Sequence, residues 1–222
     1  MDCKSAIAFE IPTLKGDDSG VYALDQMASY KVEHLPMVDD GIYKGLVTES
    51  AILDCDDLAA PLSRLSAPLP TFSVLAHQHV FTAFDWFKNQ PITLLPVVDA
   101  ENHYVGALTP AMLVQAAASM GVVREAGSIL VLELGPQDYM LSEIARIVES
   151  HDSKILSSYL TQPADTNRLE VTLKINRMDL APIIQTFERF EYKVLAAFQE
   201  PSANDELEDR YQQLMHFINM GS

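Results

Sequence analysis

Apolar positions along the chain recur with periods that switch in a regular order. Val80, Ala83, Phe84 and Phe87 stand at i, i+3, i+4 and i+7, the stripe of an amphipathic helix. Ala23, Leu24 and Met27 carry part of the same stripe earlier in the chain. The apolar runs LPMVD (35–39) and LPVVD (95–99) follow these helices and read as short buried strands. Turns are expected at Asp39, Asp40 and Gly41, and again over residues 99–102. A further strand then runs to Thr48 or to Thr109, where a short helix is expected to start.

These two stretches are copies of one another. Shifted by 60 residues, VYALDQMASYKVEHLPMVD (21–39) lies on FTAFDWFKNQPITLLPVVD (81–99). Ala23 meets Ala83, Asp25 meets Asp85, and Leu35 and Pro36 meet Leu95 and Pro96. After one inserted residue, GLVT (45–48) meets GALT (106–109). Pro, Asp, Gly and Thr keep one order with a single slip, which a chance alignment would not produce. Each copy therefore reads strand, helix, strand, turn, strand, helix. A Thr that opens a helix caps its free N–H groups, and such an end also receives phosphate.

The pattern changes around Gly121 to Gly127, which reads as a linker. Ser128 to Leu134 is a continuous apolar strand, and Leu141, Ile144, Ala145 and Val148 form a helix stripe. Lys154 to Leu160 reads as a second strand. Leu169, Val171, Leu173 and Ile175 alternate with polar residues, the signature of a sheet with one covered face. Asp179 is the expected cap of a helix carrying Leu180, Ile183, Ile184 and Phe187, and Tyr192 to Phe198 reads as a fourth strand. The order βαββαβ predicts a four-stranded antiparallel sheet with two helices on one face. From Pro201, Asn204 opens a last helix whose first turn holds Asp205, Glu206 and Glu208. Leu207, Tyr211, Leu214 and Ile218 form its apolar stripe, suited to packing on its own domain or on a partner subunit.

Composition narrows the function. The 222 residues include 31 carboxylates against 15 Lys and Arg, a formal charge of −16. Such a surface repels nucleic-acid phosphates and anionic lipid, so neither nucleic acid nor a membrane is an expected partner. No apolar run approaches the roughly 20 residues that cross a bilayer. The opening MDCKSAIAFEIP lacks a cationic end before a long apolar stretch, and a cytoplasmic location is expected. Two cysteines, Cys3 and Cys55, suggest no disulfide framework. The chain carries no G-x-S-x-G elbow, P-loop, H-E-x-x-H helix or G-x-G-x-x-G turn, so it reads as non-enzymatic and without a cofactor. His77 and His79 could share a strand face, and Asp54, Asp56 and Asp57 cluster after the first copy. Neither specifies a full ligand set, and no metal site is assigned.

The duplicated motif LP-h-V-D…G-h-h-T, with h apolar, resembles the tandem CBS domain. The resemblance implies an α+β fold in which residues 1–125 form a CBS pair, with copies at about 5–60 and 65–120. Behind it, residues 128–200 resemble a ferredoxin-like ACT domain, followed by an acidic amphipathic helix at 201–222. This order is similar to regulators of the acetoin-utilisation type. Members of the CBS family hold AMP, ADP, ATP or S-adenosylmethionine in clefts between paired copies. By that resemblance Thr48 and Thr109 would contact phosphate, and Pro36, Met37, Pro96 and Val97 would flank the base. The family's ribose-binding Asp, three residues after the Thr, is replaced by Ala51 and Met112. In the ACT-like part Tyr139 stands where a loop Gly is usual, and its bulk is expected to fill that loop. Two functions follow. One is a sensor of an adenosine compound that acts through a homodimer on an unknown regulated protein; the other is a ligand-free dimerisation scaffold.

Overall fold

The computed structural model describes residues 1–7, 10–65, 68–119, 125–164 and 167–199. The chain divides into two compact units, Met1–Ala117 and Ala118–Ser222. The expected helix at 201–222 lies outside the described residues, as do residues 121–124 of the expected linker.

In the first unit, α1 (Gly20–Tyr30) starts where the Ser19 hydroxyl accepts the Tyr22 N–H, and stops at Lys31 in the left-handed conformation. Strands β1 (His34–Asp39) and β2 (Ile42–Thr48) form an antiparallel hairpin. Its tight turn puts Asp40 and Gly41 at φ 50° and 79°, conformations that Asp and Gly adopt at low cost. Helix α2 (Glu49–Leu53) follows. The second copy repeats the series: β3 (Val74–Leu75), α3 (Phe81–Asn89), β4 (Leu95–Val98), β5 (Tyr104–Leu108) and α4 (Pro110–Ser119). Strand β3 pairs in parallel with β4, and its counterpart in the first copy shrinks to a single parallel bridge between Leu14 and Met37.

Both hairpins carry the same irregularity. The register slips one residue between Met37 and Val38 in one and between Val97 and Val98 in the other. Opposite each slip stands the glycine of the G-h-h-T motif, Gly45 across from Met37 and Gly106 across from Val97. Another segment crosses close over each glycine. A Cβ on Gly45 would lie 2.6 Å from the Leu69 Cβ and 3.1 Å from the Pro70 carbonyl oxygen. One on Gly106 would lie 2.7 Å from the Ile7 Cδ1. The motif glycine is thus explained by close approach together with φ of +148° and +159°.

The core of this unit gathers Leu14, Ala23, Met27, Leu35, Leu46 and Ile52 with their neighbours. On α3 only half of the predicted stripe goes inside. Val80 and Ala83 are fully buried, whereas Phe84 is 38% exposed and Phe87 half-buried.

The second unit runs β6 (Ser128–Leu134), α5 (Leu141–Glu149), β7 (Ile155–Thr161), β8 (Leu169–Ile175), α6 (Ala181–Arg189) and β9 (Lys193–Phe198). The sheet order is β7-β8-β6-β9 with every pair antiparallel, as the βαββαβ order predicts. Leu130, Leu132, Val171 and Leu173 meet Ile144, Val148, Ile183 and Phe187 in one core, so both helices cover the same face. The α5 stripe is rotated from its predicted phase. Ile144, Ile147 and Val148 are buried, while Leu141 is exposed and Ala145 half-buried. Asp179 does cap α6, one residue ahead of the N-cap position, by accepting the Ala181 N–H at 2.9 Å. On β8 the alternation does not leave one face open, because Thr172 and Lys174 are buried along with Val171, Leu173 and Ile175. Among the described residues no helix is long and apolar enough to cross a membrane.

Candidate functional site

Thr48 and Thr109 occupy equivalent positions and do the same local work. Thr48 Oγ1 accepts the Ala51 N–H at 3.1 Å, and Thr109 Oγ1 accepts the Met112 N–H at 3.3 Å. The residue three positions on contributes its backbone to the cap, so Ala or Met serves there as well as Asp would. Each Thr keeps its own O–H proton for another acceptor. The two differ in access. Thr48 is half-buried with the exposed Ser50 hydroxyl at 3.1 Å, whereas Thr109 and Met112 are buried. Pro36, Met37, Pro96 and Val97 are all buried within β1 and β4. The Pro36 carbonyl is taken by the Leu14 N–H at 2.8 Å.

Between the copies, the structure joins residues that the repeat places in related positions. Thr93 Oγ1 accepts the Glu33 N–H at 2.9 Å and lies 3.0 Å from His34 Nδ1. The Thr93 N–H donates to the same Nδ1 at 3.3 Å. The hairpin tips also join: Tyr43 and Asn102 exchange backbone and side-chain bonds, and the Tyr104 N–H donates to the Gly41 carbonyl. The Tyr43 hydroxyl donates to the Phe72 carbonyl at 2.9 Å. Its repeat partner, the Tyr104 hydroxyl, is buried without a hydrogen-bond partner among the described residues. Burial pushes both phenols well above their ordinary range; the Tyr104 ring adds to this for Tyr43, and the Glu10 carboxylate for Tyr104.

His34 carries a pH dependence. Because Nδ1 accepts the Thr93 N–H, the ring is neutral with its proton on Nε2, and burial lowers its pKa from 6.5 against the smaller opposing pull of Glu33. The folded state therefore binds fewer protons than the unfolded chain below pH 6.5. Stability is complete above that pH and declines as the pH falls toward the lowered folded value, with a slope of at most about 1.4 kcal/mol per pH unit. Urea unfolding followed by Trp86 fluorescence from pH 7.5 to 5 reads this directly. The His34→Gln variant should lose one proton's worth of that slope, and an unchanged slope refutes the assignment.

Among the described residues, each unit carries a cleft. One of about 650 Å³ on the first unit is lined by Gly20, Ser50, Ala51, Asp57 and Arg64 among others. It includes residues just after Thr48 but neither Thr48 itself nor Pro36 and Met37. Asp54, Asp56 and Asp57 all face it. On the second unit a cleft of about 580 Å³ lies at the β6–α5 loop, lined by Gly135, Asp138, Met140, Arg168 and Tyr192. Tyr139 does not fill this loop. It packs against the core of the unit and does not line the cleft, and the Asp138 carboxylate occupies the space beside Gly135.

His77 lies in a turn after β3, which Gln78 closes by accepting the Leu75 N–H, and His79 beyond it forms an isolated antiparallel bridge with Asp2, so the two do not share a strand face. The His79 ring packs edge-on against Phe81, and its Nδ1 accepts the Phe81 N–H. The sequence reading missed Asp99, Glu101 and His103, whose possible ligand atoms lie within 4.8 Å of one another. Their D-x-E-x-H spacing is visible in the sequence, but their bonds explain them as turn residues. Asp99 accepts the N–H groups of Glu101 and His103 and lies 3.0 Å from the His103 ring.

Residues 6–57 match the family model of the CBS domain. No curated protein matches the chain. Among solved structures, the chain is similar to a CBS domain pair/ACT domain protein from Thermotoga maritima at 24% identity and a TM-score of 0.47, covering 53% of this chain and 96% of that one. It is similar to CBSX2 in complex with AMP at 26% identity and a TM-score of 0.42, over 48% of this chain and 87% of that one. A CBS domain protein from Pyrobaculum aerophilum complexed with AMP is 17% identical, with a TM-score of 0.44, over 54% of this chain and all of that one. The CBS match falls on the first copy of the repeat.

Proposed function

We propose that the chain is a non-catalytic regulatory protein that senses a small metabolite, an adenosine derivative, through its duplicated CBS-like unit. The observation that carries this reading is the repeated LP-h-V-D…G-h-h-T motif, one copy of which matches the CBS domain. The second unit, an ACT-like module by its βαββαβ order, serves association into a homodimer; the protein acts in the cytoplasm, and its domain order is similar to that of acetoin-utilisation regulators. The charge of −16 favours AMP or an uncharged adenosine compound over a bare triphosphate. Of the contacts that the resemblance assigns, Thr48 is the one open to a ligand, with Ser50 beside it. Thr109 and the apolar residues Pro36, Met37, Pro96 and Val97 shape the site from within. Binding acts by preferring one of two arrangements of the dimer.

Thermal unfolding against adenosine, AMP, ADP, ATP and S-adenosylmethionine, with and without Mg²⁺, tests the proposal. A ligand at a hundred times its Kd adds about 2.7 kcal/mol of stability. Thr48→Val should remove most of a selective shift, and Thr109→Val should remove little, since its hydroxyl is enclosed. Ala51, Met112 and the enclosed Thr109 favour a second reading, a ligand-free scaffold. A flat panel together with a constitutive dimer would establish the scaffold and end the sensor proposal.

A further inference from the structure

The four-stranded sheet of the second unit has a face that its two helices do not cover. Residues paired across an antiparallel sheet share a face, so the register lays out this one in rows. Tyr159, Thr172, Val131 and Ala196 form one row across β7, β8, β6 and β9. Ser157, Lys174, Ile129 and Phe198 form the next. The core residues of the same strands, Leu130, Leu132, Val171 and Leu173, point to the helices. The middle of this outer face is nonetheless shielded. Thr172 and Lys174 are only 8% and 9% exposed, while Tyr159 and Phe198 at the flanks are 55% and 60% exposed.

Lys174 makes the case sharper. A lysine is rarely buried without a partner for its ammonium group, and among the described residues Lys174 forms no ion pair. The Glu133 carboxylate on the same face is already engaged by Lys193 at 3.0 Å. The face therefore calls for a cover that is apolar along one side and brings a carboxylate. The chain supplies such a segment directly after β9. Residues 204–218 combine the stripe Leu207, Tyr211, Leu214 and Ile218 with Asp205, Glu206, Glu208 and Asp209.

We propose that the segment 201–222 docks as an amphipathic helix across this sheet face, with its apolar stripe on Val131, Ile129 and Thr172 and an acidic side chain on Lys174. The dimensions fit. Fifteen residues of helix span about 22 Å, against about 14 Å for four strands at 4.8 Å spacing. Residues 199–203 reach up to about 17 Å, enough to turn from the β9 edge onto the face. Tethering holds the segment at an effective concentration on the order of millimolar, which favours it over a separate molecule.

Cross-linking in the full chain tests the docking. In a Cys3→Ala, Cys55→Ser background, Val131→Cys is paired either with Leu214→Cys on the stripe or with Gln212→Cys on the opposite side. A short bismaleimide should link 131 to 214 within one chain, several-fold more efficiently than 131 to 212. Links formed only between two chains would assign the face to a second copy and overturn the proposal, as would equal or absent linking. A second readout uses Thr172→Cys. Adding Leu207→Asp and Leu214→Asp should speed its alkylation at least tenfold, and an unchanged rate would also overturn the docking.

Discussion

Gly45→Ala is expected to destabilise the first unit by about 3 kcal/mol, whereas Gly106→Ala is expected to cost roughly 1 kcal/mol. The two glycines are repeat partners with nearly the same backbone conformation, so the difference comes from what crosses them. The Cβ of residue 45 would press on the Leu69 Cβ and the Pro70 carbonyl, in a segment fixed by the 2.7 Å bond from the Leu46 N–H to that carbonyl. The Cβ of residue 106 would meet the Cδ1 end of Ile7, which can rotate away. Urea unfolding followed by fluorescence of Trp86, the only tryptophan, measures both. Trp86 packs on Phe72 with ring centroids 5.4 Å apart, close in sequence to the crossing segment, so displacement there should also shift its emission. Equal costs for the two variants would show that backbone conformation alone, rather than the crossing segment, sets the need for glycine.

Phe187→Ala should cost the second unit about 4 kcal/mol, within the usual range for a buried aromatic ring truncated to a methyl group. Phe187 is fully buried on α6 and meets Tyr192 edge-on at 5.4 Å. The Tyr192 hydroxyl donates to Glu143 Oε2 at 3.0 Å, so the same ring supports the link from the end of α6 back to α5. Burial and that carboxylate push the Tyr192 phenol up to about 12. Hydrogen exchange of the β6 and β8 amides should accelerate by two to three orders of magnitude where they exchange through global unfolding. Less than tenfold acceleration would mean that the sheet is held by contacts other than this core.

The duplication was legible because its motif residues perform backbone tasks that few residue types can do. Gly45 and Gly106 admit a crossing segment, Asp40 and Gly41 form the tight turn, and Thr48 and Thr109 cap helices. The βαββαβ order of the second unit was equally plain, since β8 alternates strictly and α6 has a capping Asp179. The phase of α5 was harder to read. Leu141, Ile144, Ala145 and Val148 satisfy the helical spacing, but so do Ile144, Ile147 and Val148. In a helix of nine residues only the sheet beneath decides which set turns inward. The shielding of Lys174 and Thr172 had no local signal, because it depends on what lies over the sheet.

The candidate site was legible only in part. Sequence identified Thr48 and Thr109 as equivalent, and nothing in either copy of G-h-h-T distinguishes the open threonine from the enclosed one. That difference comes from burial around Met112 and Ser50. The missing Asp at positions 51 and 112 leaves the caps intact, because a cap requires the N–H of that residue and not its side chain.

The His34–Thr93 contact shows what covalent fusion permits. By the repeat, its mirror image would pair Leu94 with Glu33, yet the polar contact exists on one side only. Two separate chains of a single copy would have to use every meeting surface twice, once in each direction. A dimer of first copies would set His34 against Glu33, and one of second copies would set Leu94 against Thr93. Joined head to tail, the copies are free to diverge into unlike halves, each shaped to the other and no longer to itself.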